Sequence, residues 1–349
     1  MTRLERHWYR ITPLHLILLP VSLIFRLLAA TRRTLYRSGM LASEKLPVPV
    51  IVVGNITVGG SGKTPLTLHL VQQLLDNGWH PGIISRGFGG SAASPQAVYD
   101  SSDPAEVGDE PVLMAQRKLC PVWIGRDRPA AARELLRAHP ECDVILSDDG
   151  LQHYRLQRDV EIAVVDGVRR FGNAFLLPAG PLREPVARLA EVDAVVVNGG
   201  IEPIDCYSDS GHAYRMQLHG ETFYNLLNPE ATMQAADFLG QRLHAIAGIG
   251  HPQRFFAHLQ KLGLAVLAHP YPDHHRYTSG DLDYPDADAI LMTEKDAVKC
   301  AGLSERDTGQ AEKIWPAEKC WVLRVDAQLD PALTLHILER IAPNGRKTA

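Results

Sequence analysis

The feature that most constrains the fold is an apolar run, Val50 to Val53, that leads into a glycine loop ending in Gly-Lys-Thr. Glycines let successive backbone N–H groups turn toward an anion, a lysine can reach the β and γ phosphates, and a threonine hydroxyl can ligate Mg²⁺. The loop therefore predicts a nucleoside triphosphate site. Its predicted triphosphate-binding residues are Thr57, Val58, Gly59, Gly60, Ser61, Gly62, Lys63 and Thr64.

The loop departs from the general pattern G-x-x-x-x-G-K-[ST], because Thr57 stands where that pattern needs glycine. Its surroundings still favour a phosphate loop. The run before it is β-branched, as in a buried parallel strand, and Leu66, Leu70 and Leu74 follow at helical spacing. The alternative is an ordinary glycine-rich turn between a strand and a helix, which the Lys-Thr pair and the following helix make the weaker interpretation.

Further apolar runs follow at regular intervals, with helical or loop segments between them. This alternation predicts an α/β fold of the P-loop NTPase type, a doubly wound parallel sheet, with a second, smaller α/β domain. We expect a core at 41–210 and a C-terminal domain at 211–349 whose last helix can return to the core. The polar stretch 201–212 is the predicted boundary, and residues 344–349 are a predicted frayed tail. The predicted strands are 82–85, 121–124, 143–146, 161–166 and 193–198, then 243–250, 265–267 and 289–293.

The first 40 residues predict a basic amphipathic helix in the membrane interface. Residues 1–45 hold eight Lys or Arg and two acids, so the net charge of −4 divides into +6 there and −10 elsewhere. Arginines on one face would be attracted by anionic headgroups. A spanning helix is not expected, because no uncharged run reaches about 20 residues. A signal peptide and a helix packed on the body are the alternatives. The polar face is His15, Ser22, Arg26, Arg33 and Arg37, and the apolar face is Leu14, Leu18, Val21, Phe25 and Leu28.

Two acids, Asp148 and Asp149, follow the run 144–146 after one serine, Ser147. A carboxylate at the end of a strand beside the phosphate loop is where P-loop enzymes hold Mg²⁺. We therefore predict a metal site formed by Thr64, Asp148 and Asp149. An Asp-Asp-Gly turn without function is the alternative.

Asp109 opens a predicted helix, where an acid is either a capping residue or a general base for an attacking hydroxyl. The sequence leaves these two interpretations even. Arg183, in a proline-rich loop, and Arg128, after the run 121–124, could steady phosphate charge, although single arginines are more often surface ion pairs.

Histidines cluster at Asp273-His274-His275. A zinc site is the weaker interpretation, because the five cysteines lie far apart and no H-x-x-x-H spacing is present. A histidine paired with an acid as proton acceptor is one alternative, and a solvated loop histidine is the other.

Together these motifs resemble the tetraacyldisaccharide 4′-kinases, the lipid A 4′-kinases, in order and over nearly the whole chain. The segments that carry the resemblance are VGNITVGGSGKTP (53–65), SRGFG (85–89), GDEP (108–111), DDGLQH (148–153), LPAGPLREP (177–185) and TEKDAVK (293–299). Thr57 is no departure from this family.

The resemblance implies an ATP- and Mg²⁺-dependent kinase that phosphorylates the 4′-hydroxyl of a tetraacylated glucosamine disaccharide 1-phosphate. It implies peripheral or monotopic binding to the cytoplasmic face of the bacterial inner membrane through the N-terminal helix, and no nucleic acid partner. It assigns Lys63 to the phosphate loop, and Asp148 and Asp149 to the metal. It assigns Arg128 and Arg183 to phosphate binding, and Asp109 and His274 to proton transfer. Whether His274 or the adjacent His275 is the functional histidine stays open at this point.

A function of another class remains an alternative, namely a membrane-recruited P-loop ATPase switch without phosphotransfer to lipid. A GTPase would need an Asn/Thr-Lys-x-Asp motif, and in Thr293-Glu294-Lys295-Asp296 the lysine comes one position late.

Overall fold

The computed structural model describes residues 7–10, 12–200, 212–300, 303 and 317–342. Most of the predicted boundary at 201–212 and all of the predicted tail at 344–349 lie outside them. The helices are α1 (Leu14–Arg37), α2 (Lys63–Asp76), α3 (Pro104–Val107), α4 (Asp109–Gln116), α5 (Arg128–Ala138), α6 (Pro252–Lys261), α7 (Glu294–Cys300) and α8 (Pro331–Ile341). Short 3-10 helices are Val186–Glu191, Ala235–Phe238, Ser279–Leu282 and Ala317–Lys319.

The strands form two sheets. They are β1 (Val50–Gly54), β2 (Pro81–Ser85), β3 (Gln96–Val98), β4 (Val122–Ile124), β5 (Val144–Asp148), β6 (Val160–Asp166), β7 (Ala194–Asn198), β8 (Ala213–His219), β9 (Thr222–Asn225), β10 (Thr232–Gln234), β11 (Leu243–Ala247), β12 (Val266–Pro270), β13 (Ala289–Thr293), β14 (Cys320–Leu323) and β15 (Asp326–Leu329).

The first sheet runs β15-β8-β7-β6-β1-β5-β2-β4-β3 and is parallel except for its two edge strands, β3 and β15. Strand β1 lies between β5 and β6, and Val53 pairs with Asp148. The acids therefore lie beside the start of the phosphate loop. This is the edge where ligands bind in open parallel sheets.

The second sheet runs β10-β9-β14-β13-β11-β12, with its last four strands parallel. The chain enters it after β8 and leaves it after β14, since β8, β15 and α8 all pack with the first sheet. The division of residues at 40 and 210 stays a prediction, whereas the predicted α/β fold of the P-loop kinase type is confirmed.

Both faces of the first sheet are covered, which explains the unbroken apolar runs. In β1, Ile51 and Val53 pack into the cluster on one face, and Val50 and Val52 pack into the cluster on the other. All four are at most 1% exposed. Each such side chain contributes roughly 1.5–3 kcal/mol by leaving water.

Helix α1 binds the body through its polar side. His15 and Ser22 are buried, the Ser22 hydroxyl donates to the Leu176 carbonyl at 2.8 Å, and Arg33 and Arg37 both bind Glu191. The structure thus differs from the expectation that these arginines face headgroups. Helical spacing identifies two faces but does not say which one meets the body. The exposed side is apolar, with Leu16, Ile17, Val21, Leu23, Ile24, Leu27 and Leu28 at least 50% exposed.

By length and composition α1 is also apolar enough to cross a bilayer. It is the one such helix among the described residues.

Candidate active site

The phosphate loop connects β1 to α2, which begins at Lys63. Gly59 and Gly62 have φ of 98° and 96°, a backbone conformation that residues other than glycine rarely adopt. The loop is held from outside, because Val58 N–H donates to the Pro181 carbonyl at 2.9 Å and Asn198 Nδ2 donates to the Ser61 carbonyl at 2.9 Å. Ser61 Oγ is buried without a partner among the described residues. The loop therefore keeps hydrogen-bonding capacity for a ligand.

Asp148 ends β5 and is completely buried. Its Oδ1 accepts from Thr67 Oγ1 at 3.4 Å, and its Oδ2 has no partner in the part of the chain described. Burial, with a contribution from Glu110, raises the pKa of Asp148 to about 7. A buried carboxylate with a free oxygen is a hard ligand that a bound cation would satisfy.

Asp149 is the meeting point of three cationic side chains. Its carboxylate lies 3.6 Å from Lys63 Nζ and 3.3 Å from Arg183 Nη1, while Arg128 Nη2 donates to its backbone carbonyl at 3.5 Å. Burial acts to raise the pKa of Asp149, but Lys63 and Arg183 lower it below its ordinary value. The acid is therefore held ionised beside the phosphate loop.

The two predicted arginines differ in what they contact. The backbone N–H of Arg183 donates to the Ile56 carbonyl at 2.7 Å, so the proline-rich loop lies against the phosphate loop. From there the Arg183 guanidinium reaches Asp149. Arg128 begins α5 after the capping residue Asp127 and is 2% exposed. Its Nη atoms donate to the Gly125 and Asp149 carbonyls. Burial lowers the pKa of Arg128 to about 10. Arg128 thus braces the Asp149 backbone.

Asp109 and His274 meet although they lie 165 residues apart. His274 Nδ1 is 3.0 Å from Asp109 Oδ2, whereas His275 Nε2 lies 3.3 Å from Asp281. Asp109 is the first residue of α4, whose capping position is Gly108. Burial acts to raise the pKa of Asp109, but the bond to His274 and the charges of Lys295 and Lys299 lower it. Of the two histidines, His274 is the one paired with the acid.

A second ring of contacts surrounds the loop, and none of it was predicted from the sequence. Arg169 donates to the Gly60 carbonyl and bonds Asp166 at 2.9 Å, and Asp166 also binds Arg254 of α6 at 3.4 Å. Arg254 in turn donates to Asn198 at 3.0 Å. Asp166 and Asn198 end β6 and β7, so their position at strand ends was a usable signal. The role of Arg254 depends on how the second sheet packs, which has no local signature.

Four features define a P-loop kinase: a glycine loop on a parallel sheet, a helix beginning at its Lys-Thr, one buried and one half-buried acid at the end of the adjacent strand, and a carboxylate–imidazole pair. Residues 14–342 match the family described as tetraacyldisaccharide-1-P 4′-kinase. The chain belongs to that family, and the family and enzyme class predicted from the sequence are confirmed.

Relatives named tetraacyldisaccharide 4′-kinase match it over nearly their whole length. That of Methylobacillus flagellatus is 52% identical over 97% of this chain and 95% of its own, and that of Azoarcus sp. is 51% identical over 98% and 96%. The crystal structure of LpxK from Aquifex aeolicus in complex with ATP is similar with a TM-score of 0.76 and 29% identity, covering 94% of this chain and 99% of that chain.

Replacing Gly62 with alanine is expected to lower the affinity for ATP by about tenfold or more. The new Cβ would lie 2.3 Å from Asn198 Nδ2 at a φ of 96°, so both the loop and its outer support must shift. Gly78→Ala is the matched control at the other end of α2. Gly78 has a φ of 77°, and a Cβ added there would have no atom within 4 Å. This substitution should cost roughly 1 kcal/mol of stability and leave ATP binding unchanged. Titration calorimetry measures the affinity of each variant for ATP, and equal affinities in the two variants would contradict the prediction.

Proposed function

We propose that this chain transfers the γ phosphate of ATP to the 4′-hydroxyl of a tetraacylated glucosamine disaccharide 1-phosphate in lipid A biosynthesis. The observation that carries the proposal is the Asp109–His274 pair beside a complete phosphate loop in a chain of this family. Glu110, the next residue, is near enough to Asp148 to raise its pKa. The start of α4 therefore lies at the phosphate end of the site.

A sugar hydroxyl is a weak nucleophile, so a base must orient it and accept its proton. Asp109, held by His274, is that base in our proposal, and His274 shares the proton through its 3.0 Å contact. The acceptor oxygen forms a bond to the γ phosphorus as the bond to the β,γ-bridging oxygen breaks, and ADP leaves. Lys63, the loop N–H groups and Arg183 stabilise the charge on the transferring group.

Thr64, Asp148 and Asp149 would hold Mg²⁺. Their oxygen donors suit this hard cation, and the unpartnered Asp148 Oδ2 is the observation that fits it. When bound, the ion would neutralise phosphate charge. Asp149 would balance Lys63 and Arg183, and Arg128 would fix the backbone from which both acids project.

The acceptor carries four acyl chains, and each CH₂ withdrawn from the bilayer costs about 0.8 kcal/mol. The enzyme must therefore come to the membrane. We propose that the exposed apolar side of α1 enters the cytoplasmic leaflet of the inner membrane, while the polar side stays bonded to the body.

We expect the chain to move from membranes to the soluble fraction when serine replaces four α1 residues that are 60–73% exposed, Leu16, Ile17, Ile24 and Leu27. Membrane partitioning should fall by tenfold or more, because each side chain contributes on the order of 1.5–3 kcal/mol by leaving water. Turnover of detergent-dispersed acceptor should persist. Deleting α1 is a poorer test, because it also removes contacts to the 173–176 segment. Serine at Leu227, Leu239 and Leu267, which are 59–65% exposed, is the matched control. Unchanged flotation with vesicles would contradict the anchoring role.

Incubation with γ-labelled ATP, Mg²⁺ and acylated disaccharide 1-phosphate tests the function. Label in the lipid, lost with chelator and absent with an acceptor methylated at the 4′-oxygen, is expected. Free phosphate released only upon addition of a protein partner would support the ATPase switch instead.

A further inference from the structure

Lys295 lies outside the proposed chemistry but contacts both segments that carry it. It is the second residue of α7 and its side chain is 16% exposed. Its Nζ lies 3.2 Å from Glu110 Oε1 and 3.3 Å from Asp273 Oδ1. Glu110 follows Asp109 in the chain, and Asp273 precedes His274. One ammonium group thus joins the two stretches of backbone whose side chains form the pair.

The histidine side of this pair needs external support. His274 has a φ of 58°, which non-glycine residues adopt rarely, and its N–H donates to Asp273 Oδ1 at 3.0 Å. The same oxygen lies 3.8 Å from His274 Nε2. An Asp273 carboxylate without Lys295 would compete with Asp109 for the imidazole. Lys295 neutralises that competitor while leaving it in place as a backbone anchor.

Lys295 itself is held firmly. The preceding Glu294 binds Arg117 at 2.8 Å, and the following Asp296, which is fully buried, accepts from the Gly248 N–H at 3.0 Å and from Tyr277 at 3.0 Å. The ammonium is therefore a fixed reference point for two loops. Burying it between two carboxylates is favourable only while both partners remain in place.

We propose that Lys295 is a positioning residue for phosphoryl transfer, which fixes the Asp109–His274 contact by bridging Glu110 and Asp273. This inference rests on the proposed function, in which that pair accepts the proton. The bridge also has an electrostatic side. The charged groups that act on Asp109 are His274, Lys295 and Lys299, and all three favour its ionised form.

The test compares Lys295→Met with Lys295→Arg in kcat, KM for ATP and the acid limb of the pH profile of kcat. Lys295→Met should lower kcat by about 10- to 100-fold with an unchanged KM for ATP. Its acid limb should move up by about one pH unit, because Asp109 loses a neighbouring cation. Lys295→Arg should restore the position of the limb and most of the rate. If Lys295→Met does not fold, Lys295→Gln keeps a polar group between the two acids without the charge.

Lys118→Met is the matched control. Lys118 pairs with Asp100 at 3.0 Å beyond the far end of α4 and is 73% exposed, so kcat and the limb should not change. In the Asp109→Asn background, Lys295→Met should have little further effect. A rate loss with an unmoved limb, or full additivity with Asp109→Asn, would overturn the positioning role.

The two proposals fail in different ways. This inference alone would be overturned if Lys295→Met kept the kcat and the acid limb of the unchanged chain while Asp109→Asn was impaired. Full activity in Asp109→Asn would overturn the base role of Asp109 and this inference with it, whereas a lack of label transfer to the lipid by the unchanged chain would overturn the proposed function.

Discussion

The substitution Asp109→Asn is expected to lower kcat by about 10²- to 10⁴-fold while the affinity for ATP stays near that of the unchanged chain. The amide is close in size to the carboxylate and could still bond His274, but it could not take the proton from the sugar hydroxyl. The phosphate loop, Lys63 and Asp149 contact one another independently of Asp109. Transfer to lipid and ATP binding, measured in parallel, should therefore separate.

Asp100→Asn is the control for this change. Asp100 is 46% exposed and pairs with Lys118 away from the pair, so its variant should transfer phosphate normally. Near-normal transfer by Asp109→Asn would mean that Asp109 is a helix-terminal acid without a catalytic role. Equal losses of transfer and ATP binding would mean that it supports the fold of the nucleotide site.

The substitution Asp148→Asn is expected to lower transfer by about 10²-fold or more and to stabilise the metal-free protein at high pH. Burial raises the pKa of Asp148 to about 7, above its ordinary value of 3.8. Folding then favours the protonated acid, so the contribution of Asp148 to stability falls as pH rises from about 4 to 7 and is least favourable above 7. A neutral amide avoids that cost.

Melting temperatures at pH 5 and pH 8 without Mg²⁺ measure the effect. The variant should gain roughly 2–4 °C over the unchanged chain at pH 8 and little at pH 5. Adding Mg²⁺ should stabilise the unchanged chain more than the variant. A gain that is the same at both pH values would show that ionisation of Asp148 is not its source.

The phosphate loop and the strand-end acids were predictable because their signals are local. A β-branched run, glycines and Lys-Thr lie within 16 residues, and parallel strands bring their carboxyl ends to one edge. The sequence also indicated Asp109 and a histidine near 274 through family motifs, but adjacent histidines carry no local distinction. Only the opposite contacts of His274 and His275 separate them.

The remaining features depend on long-range packing. The TEKDAVK motif gave no indication that Lys295 would bridge Glu110 and Asp273, because the three residues come from segments far apart in the chain. The pairing of β8 and β15 at the end of the first sheet has no local pattern either. In α1, the polar stripe was visible, yet whether it faced protein or lipid was set by Leu176 and Glu191 more than 150 residues away.

Helix α1 presents its apolar side outward, and under the proposed anchoring this has a mechanical consequence. Its polar side is hydrogen-bonded to the segment before Arg183. Arg32 also donates to the backbone carbonyl of Gln152, and the Gln152 side chain donates to the Asn55 carbonyl at the start of the phosphate loop. Insertion of α1 would therefore fix the tilt of the whole body and the height of the phosphate loop above the headgroups. Bilayer thickness and curvature would then set how far the sugar must rise to reach ATP.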